Sequence, residues 1–429
     1  MHTYRHKNRK ALAAIAVLIA FCFGATRASA DWPRWRGPNG DGISQDTGLL
    51  ESWPEGGPPL AWKATGIGAG MGAVSVADGR VYTSGDLDGK AWLFALDEAT
   101  GTHVWKAEVG PGGTIGFGSQ FHPGPRGTPT VDGDKVYILG QFGDLVCFTT
   151  GGEEVWRANL VDDYGGKVPR WGYTESPLID GNRLIVTPGG EDGILLALDK
   201  NTGARIWRSE GWSGEEPQYS SPILATIGGV RQYIQLTEQT VAGVAAEDGR
   251  VLWKTSREGL IPVTTPIEED GLVYISSGYG AGCRLFKVNP PAQSGGEFSV
   301  ELVYANKDLK NHHGGVILLD GYVYGSNDPG ILTAMNFRTG EVAWRDRSVG
   351  KGSITVADGH IYLRSEASPG QVALIEATPE AYREISVFTP PDQSGENNWP
   401  HPVIANGRLY LRDQDVLLSY DIRQNRQPL

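Results

Sequence analysis

Short apolar runs separated by Gly, Asp, Asn and Pro fill the chain from about residue 60 to its end, and helix-like periodicity is almost absent. Such runs predict β-strands bounded by tight turns. One unit recurs: a short strand, an Asx-Gly turn, and a second strand that often ends in Val-Tyr or Leu-Tyr. The turns are Asp78-Gly79, Asp132-Gly133, Asp180-Gly181, the Gly228-Gly229 variant, Asp270-Gly271, Asp320-Gly321, Asp358-Gly359 and Asn406-Gly407. Two-residue hairpins of the commonest type need positive φ at both central residues, which Asx-Gly tolerates. The mean spacing, about 47 residues, is the length of a four-stranded propeller blade.

The second half of the unit is as regular. Ala95-Leu96-Asp97-Glu98-Ala99-Thr100-Gly101 runs on to Trp105, and the same pattern leads through Thr202-Gly203 to Trp207 and through Thr339-Gly340 to Trp344. Degenerate versions reach Trp156 and Trp253, and Tyr304 and Phe388 stand in for the tryptophan elsewhere. A blade has a neighbour on each face, so a large ring on its outer strand is buried between blades. Each covers about 150–250 Å², on the order of 4–6 kcal/mol before entropy is subtracted. The last hairpin ends at Leu418-Ser419-Tyr420-Asp421 with no ring-bearing strand after it. Leu60-Ala61-Trp62 supplies that strand from the other end, which ties the termini together and removes the open sheet edge. The expected fold is therefore all-β: an eight-bladed β-propeller of four-stranded antiparallel blades over residues 60–429, closed by an N-terminal strand and preceded by an extension, 31–59.

Residues 1–30 read as a secretory leader. Arg5, Lys7, Arg9 and Lys10 precede an apolar run from Ala11 to Phe23 that is too short to span a bilayer, and Ala28-Ser29-Ala30 offers a cleavage site. Phe21 before Cys22 argues against lipid attachment. No later run is long enough for a transmembrane helix, so an exported, periplasmic or extracellular, soluble protein is expected. The net charge of −12 becomes more negative once the basic leader is removed, which excludes a nucleic-acid partner. Cys147 and Cys283 fall on different blades and are expected to be buried and free. A monomer is expected.

The Ala-Leu-Asp-x-x-Thr-Gly-x-x-x-Trp unit resembles the pyrroloquinoline quinone (PQQ) repeat. Two families share it. Quinoprotein alcohol dehydrogenases hold PQQ and a calcium ion on the propeller axis. The propeller lipoprotein of outer-membrane β-barrel assembly (BamB) has neither cofactor nor catalysis. Trp32-Pro33-Arg34-Trp35-Arg36-Gly37-Pro38-Asn39-Gly40, Pro125-Arg126-Gly127-Thr128-Pro129, Asn311-His312-His313-Gly314-Gly315 and Trp399-Pro400-His401-Pro402 are similar to segments of exported, BamB-like PQQ-like propellers. The dehydrogenases have two adjacent cysteines against the quinone, and none are adjacent here; nor is there a CxxCH haem site. The resemblance implies a non-catalytic binding or scaffold protein with no cofactor. A PQQ- and calcium-dependent oxidoreductase of alcohols or sugars is the alternative.

In a propeller, the segments leading into the innermost strands converge on the axis at one face. They bring Arg126, Glu175, Tyr219, His312, His313, Lys351, Trp399 and His401 there, with Met71, His122 and Trp171 nearby, and the loops between second and third strands add Glu366 and other charged residues. These are the candidate ligand-binding residues, for a protein or small-molecule partner. His312-His313 with His401 or His122 suggests a metal, but adjacent side chains of an extended segment point opposite ways and no HExxH or CxxC spacing is near, so no metal is expected. An Arg126–Glu175 ion pair across the throat is the competing structural role. Ser276–Gly282 is Gly-rich but lacks the lysine and helix of a phosphate loop, and there is no GxSxG.

Overall fold

In the computed structural model, which describes residues 30–115, 124–259, 261–293 and 296–424, thirty-two strands form eight four-stranded antiparallel sheets. Blades 1 to 7 are consecutive: residues 75–111, 130–159, 178–208, 223–256, 267–306, 311–346 and 352–388. Blade 8 takes three strands from residues 403–421 and its outer strand, Leu60–Ala64, from the other end of the chain. The closure expected from the sequence is therefore present, with Lys63 opposite Leu418 and Ala64 opposite Leu417. Inner strands are buried on both faces, as in Ser75–Ala77, Val403–Ala405 and Arg408–Asp413, because each is flanked by another blade.

The repeat signature has a direct mechanical meaning. The ring on the outer strand of one blade lies over the third turn of the next. Trp62 donates its indole N–H to Glu98 O, Trp105 to Thr150 O, Trp156 to Lys200 O, Trp207 to Ala246 O and Trp344 to Thr378 O, and the Tyr304 hydroxyl donates to Phe337 O, at 2.8–3.3 Å. The glycine of that turn is where the ring rests. A Cβ on Gly101, which has φ +72°, would lie 2.5 Å from the Trp62 ring, and Gly152, Gly203, Gly249 and Gly340 meet Trp105, Trp156, Trp207 and Tyr304 in the same way. Blade 8 has no such turn, because the chain is interrupted there. Gly57, in the extension, supplies it: its Cβ would fall 2.5 Å from Phe388 of blade 7. Trp253 is an exception and donates to Gln232 Oε1 of its own blade.

The extension does more than lead into blade 8. Residues 32–44 lie across the axial channel and bond to innermost strands on opposite sides of it. Trp32 pairs with Val76 of blade 1, and Val131 N of blade 2 donates to Pro33 O. Trp35 Nε1 donates to Thr265 Oγ1 beside blade 5, and the buried Arg36 donates to Val316 O of blade 6. Ser44 N donates to Val356 O of blade 7, and Ser44 Oγ to Ile404 O of blade 8. The chain's own segment thus bridges the blades across the channel.

The two expected free cysteines are found: Cys147 and Cys283 are buried, in blades 2 and 5. No helix among the described residues is long and apolar enough to cross a membrane.

Deleting residues 31–62 should lower the melting temperature by more than about 10 °C, since it removes both the channel segment and Trp62; a scan by circular dichroism reads it. Gly57→Val should cost about 2–4 kcal/mol from overpacking against Phe388 and a strained φ, measured by urea unfolding.

Candidate functional site

The segments leading into the innermost strands do converge. They form a recess on the axis with about 150 Å³ of interior space. Trp35 of the channel segment lies at its base, and Trp171, Tyr219, Tyr279 and Trp399 supply further rings. Of the residues expected at this site, Arg126, Tyr219, His312, His313, Trp399 and His401 line the recess, as do Met71 and Trp171. Lys351 and Glu366 stand behind the imidazoles. His122 falls outside the described residues.

Glu175 is displaced from the recess. It is 2% exposed and lies beneath the surface, accepting bonds from Thr187 N at 2.5 Å and Thr187 Oγ1 at 2.7 Å. Burial pushes its carboxyl up to about 7. Arg126 donates to Trp171 O at 2.6 Å. Burial lowers its guanidinium to about 10. Trp171 and Tyr219 meet with ring centroids 5.5 Å apart, and burial raises the Tyr219 phenol to about 12.

The expectation that His312 and His313 point apart is corrected. Their Nδ1 atoms are 3.4 Å from one another and their rings 5.0 Å. The strand Asn311–Leu319 loses register between Asn311 and Val316, and this bulge breaks the alternation that a regular strand would impose. One ligand atom each from His312, His313 and Glu366 lies within 4.8 Å of the others, a spacing a metal could use. A cation is already there, however. The Lys351 ammonium is 2.9 Å from His312 Nδ1, 2.9 Å from Asp328 Oδ1 and 3.3 Å from Glu366 Oε2. Burial alone would raise the Asp328 carboxyl, but the bond to Lys351 and its charge hold it below the usual range. Burial above all, with the Lys351 charge nearby, pushes His313 well below its ordinary value, so it is neutral. His401 is lowered to about 4 by burial; its Nε2 bonds His313 O at 2.9 Å and its ring packs on Trp35 at 4.6 Å.

Two residues at the site escaped sequence reasoning. Tyr279 tops the Gly-rich turn at φ +54°, is 53% exposed, and places its hydroxyl 3.0 Å from His312 Nε2. Trp35 belongs to the segment whose resemblance was visible but whose place was not. Arg412 lies near the end of the strand Arg408–Asp413 and turns inward: it donates to Thr83 Oγ1 at 2.6 Å and Ser84 O at 2.5 Å and is structural.

A profile of the family described as outer membrane protein assembly factor BamB matches residues 89–346, more than half of the chain. The chain belongs to this BamB family. Similarity to individual BamB proteins is distant: BamB of Yersinia pestis is 22% identical over 330 residues, covering 62% of this chain and 77% of that protein. The crystal structure of BamB from Moraxella catarrhalis superposes with a TM-score of 0.59 at 17% identity, over 83% of this chain and 95% of that one. The quinohemoprotein alcohol dehydrogenase of Comamonas testosteroni reaches a TM-score of 0.65 at 14% identity, over 93% of this chain and 82% of that one. At such identities the likeness establishes the fold, which BamB and the dehydrogenase share.

Because Glu175 holds its proton more tightly when folded, its carboxyl weakens the fold as pH rises from about 4.5 to about 7, by up to about 3 kcal/mol. Glu175→Gln, neutral throughout, should flatten that fall, so that the variant gains on wild type between about pH 5 and pH 8 in melting temperature. Lys351→Met should free the His312–His313–Glu366 set and confer zinc binding that wild type lacks, read by calorimetry.

Proposed function

We propose that this chain is an exported, non-catalytic BamB-like propeller that binds a partner at its axial face. The observation that supports this most is how the recess is built. Rings and hydrogen-bond donors face its interior, while the titratable groups around it are spent on one another: Lys351 on Asp328, Glu366 and His312, and His401 on the His313 carbonyl. Such an arrangement recognises and holds; it leaves no paired acid and base aimed at one point. The leader-like N-terminus and the BamB relatives support an extracytoplasmic, periplasmic location. The acidic charge supports a partner other than nucleic acid, and the working unit is a monomer.

The quinoprotein reading rests on the shared ring. The residues do not fit its cofactor. Calcium takes six to eight oxygen ligands, carboxylates foremost, and no Asp or Glu lines the recess among the described residues. Cys147 and Cys283 are buried in blades 2 and 5, away from the recess. Titrating the folded protein with PQQ, with and without calcium, tests this through tryptophan fluorescence. The expected result is no saturable, calcium-dependent quenching; tight calcium-dependent binding together with alcohol-dependent dye reduction would replace the binding role with the oxidoreductase.

A further inference from the structure

The recess also specifies what kind of molecule it can receive. Its interior, about 150 Å³, matches a single six-membered ring, since an apolar cavity of about that volume holds benzene. Trp35, Trp171 and Trp399 present indoles to that space, suited to a flat or cyclic body.

The polar part of the wall consists almost wholly of donors. Arg126 has no acceptor atom. Ser176 Oγ accepts from Thr128 N at 2.9 Å, and Ser221 Oγ accepts from Ser176 N at 3.0 Å, so each hydroxyl has its own proton to give. Tyr279 is made a donor by a relay. An ammonium can only donate, so at 2.9 Å from Lys351 Nζ the His312 Nδ1 must accept. The neutral imidazole then carries its proton on Nε2, which lies 3.0 Å from the Tyr279 hydroxyl oxygen. That oxygen accepts, and the phenolic proton is left to point elsewhere. Against these donors, the described residues lining the recess include no Asp, Glu, Asn or Gln; the acceptors among their side chains are neutral imidazole nitrogens and hydroxyls. A sugar or an amine would bring donors of its own and find few side-chain acceptors, whereas a carboxylate accepts only. Among the described lining residues Arg126 carries the one full charge, a positive one in a chain of net charge −12.

We infer that the axial recess binds a small cyclic carboxylate, its ring among the indoles and its carboxylate on Arg126 and the Tyr279 hydroxyl. This rests on the binding role proposed above and names the ligand class for that same recess. One ring with one carboxylate is much smaller than the three-ring quinone cofactor, so the two ideas are separable.

Calorimetric titration of the full-length folded protein with benzoate, cyclohexanecarboxylate, benzamide, benzylamine and glucose tests the inference. The two carboxylates should bind at least about tenfold more tightly than the other three, as charge-assisted hydrogen bonds imply. Arg126→Met should weaken benzoate by about tenfold or more. Tyr279→Phe, at an exposed position that keeps the ring, should weaken it several-fold while melting like wild type, which covers the case in which the arginine variant fails to fold. Lys351→Met should reproduce part of the Tyr279→Phe loss, because the relay that orients the phenol is broken. Equal binding of benzamide or benzylamine, or unchanged benzoate affinity in a folded Tyr279→Phe, overturns the inference. So does the absence of binding by every probe. None of these outcomes touches the binding role itself, which stands or falls on the quinone titration.

Discussion

A ring lying on a glycine, one blade over, is the contact on which the molecule depends. It recurs at the junctions of blades 8 and 1, 1 and 2, 2 and 3, 3 and 4, 5 and 6, and 7 and 8. It explains why the repeat needs both residues: a glycine without the ring leaves a hole, and a ring above any side chain collides. Since each blade caps its predecessor, no blade is buried until both neighbours are in place, and the ring gains its full apolar burial only when it closes. Closure falls to blade 8, whose outer strand and turn glycine both come from the opposite end of the chain.

That logic also accounts for what could be read in advance. Hairpin turns, the Thr-Gly turn and the outer-strand tryptophan are local signals with a fixed period, so blade number, strand count and closure by Leu60–Ala64 follow from the residues alone. The segments that line the axis carry no period of their own. Their positions depend on where eight blades aim them, which gave the correct neighbourhood for Arg126, Tyr219, His312, Trp399 and His401 but not the depth at which Glu175 sits. The His312–His313 pairing turned on a bulge, and a bulge is a departure from alternation that alternation cannot announce. Trp35 escaped because a segment without strand pattern offers no clue to what it crosses. Tyr279 is not legible because a Gly-rich turn carries no period, and its ring meets His312 only through the positive φ at the turn's tip.

The electrostatics of the axial face follow a single arrangement. Lys351 satisfies two carboxylates and one imidazole at once, which keeps acid away from the interior of the recess and leaves neutral imidazoles beside it.

Residues 32–44 settle what the centre of the ring is. A larger cavity of about 700 Å³ opens beyond the channel segment, lined by Pro33, Arg34, Trp35 and Lys200 among others, and it shares Trp35, Ser176 and Ser221 with the axial recess. One indole is thus a party wall between two rooms. The two spaces stand back to back, one opening on each side of the segment that crosses the ring.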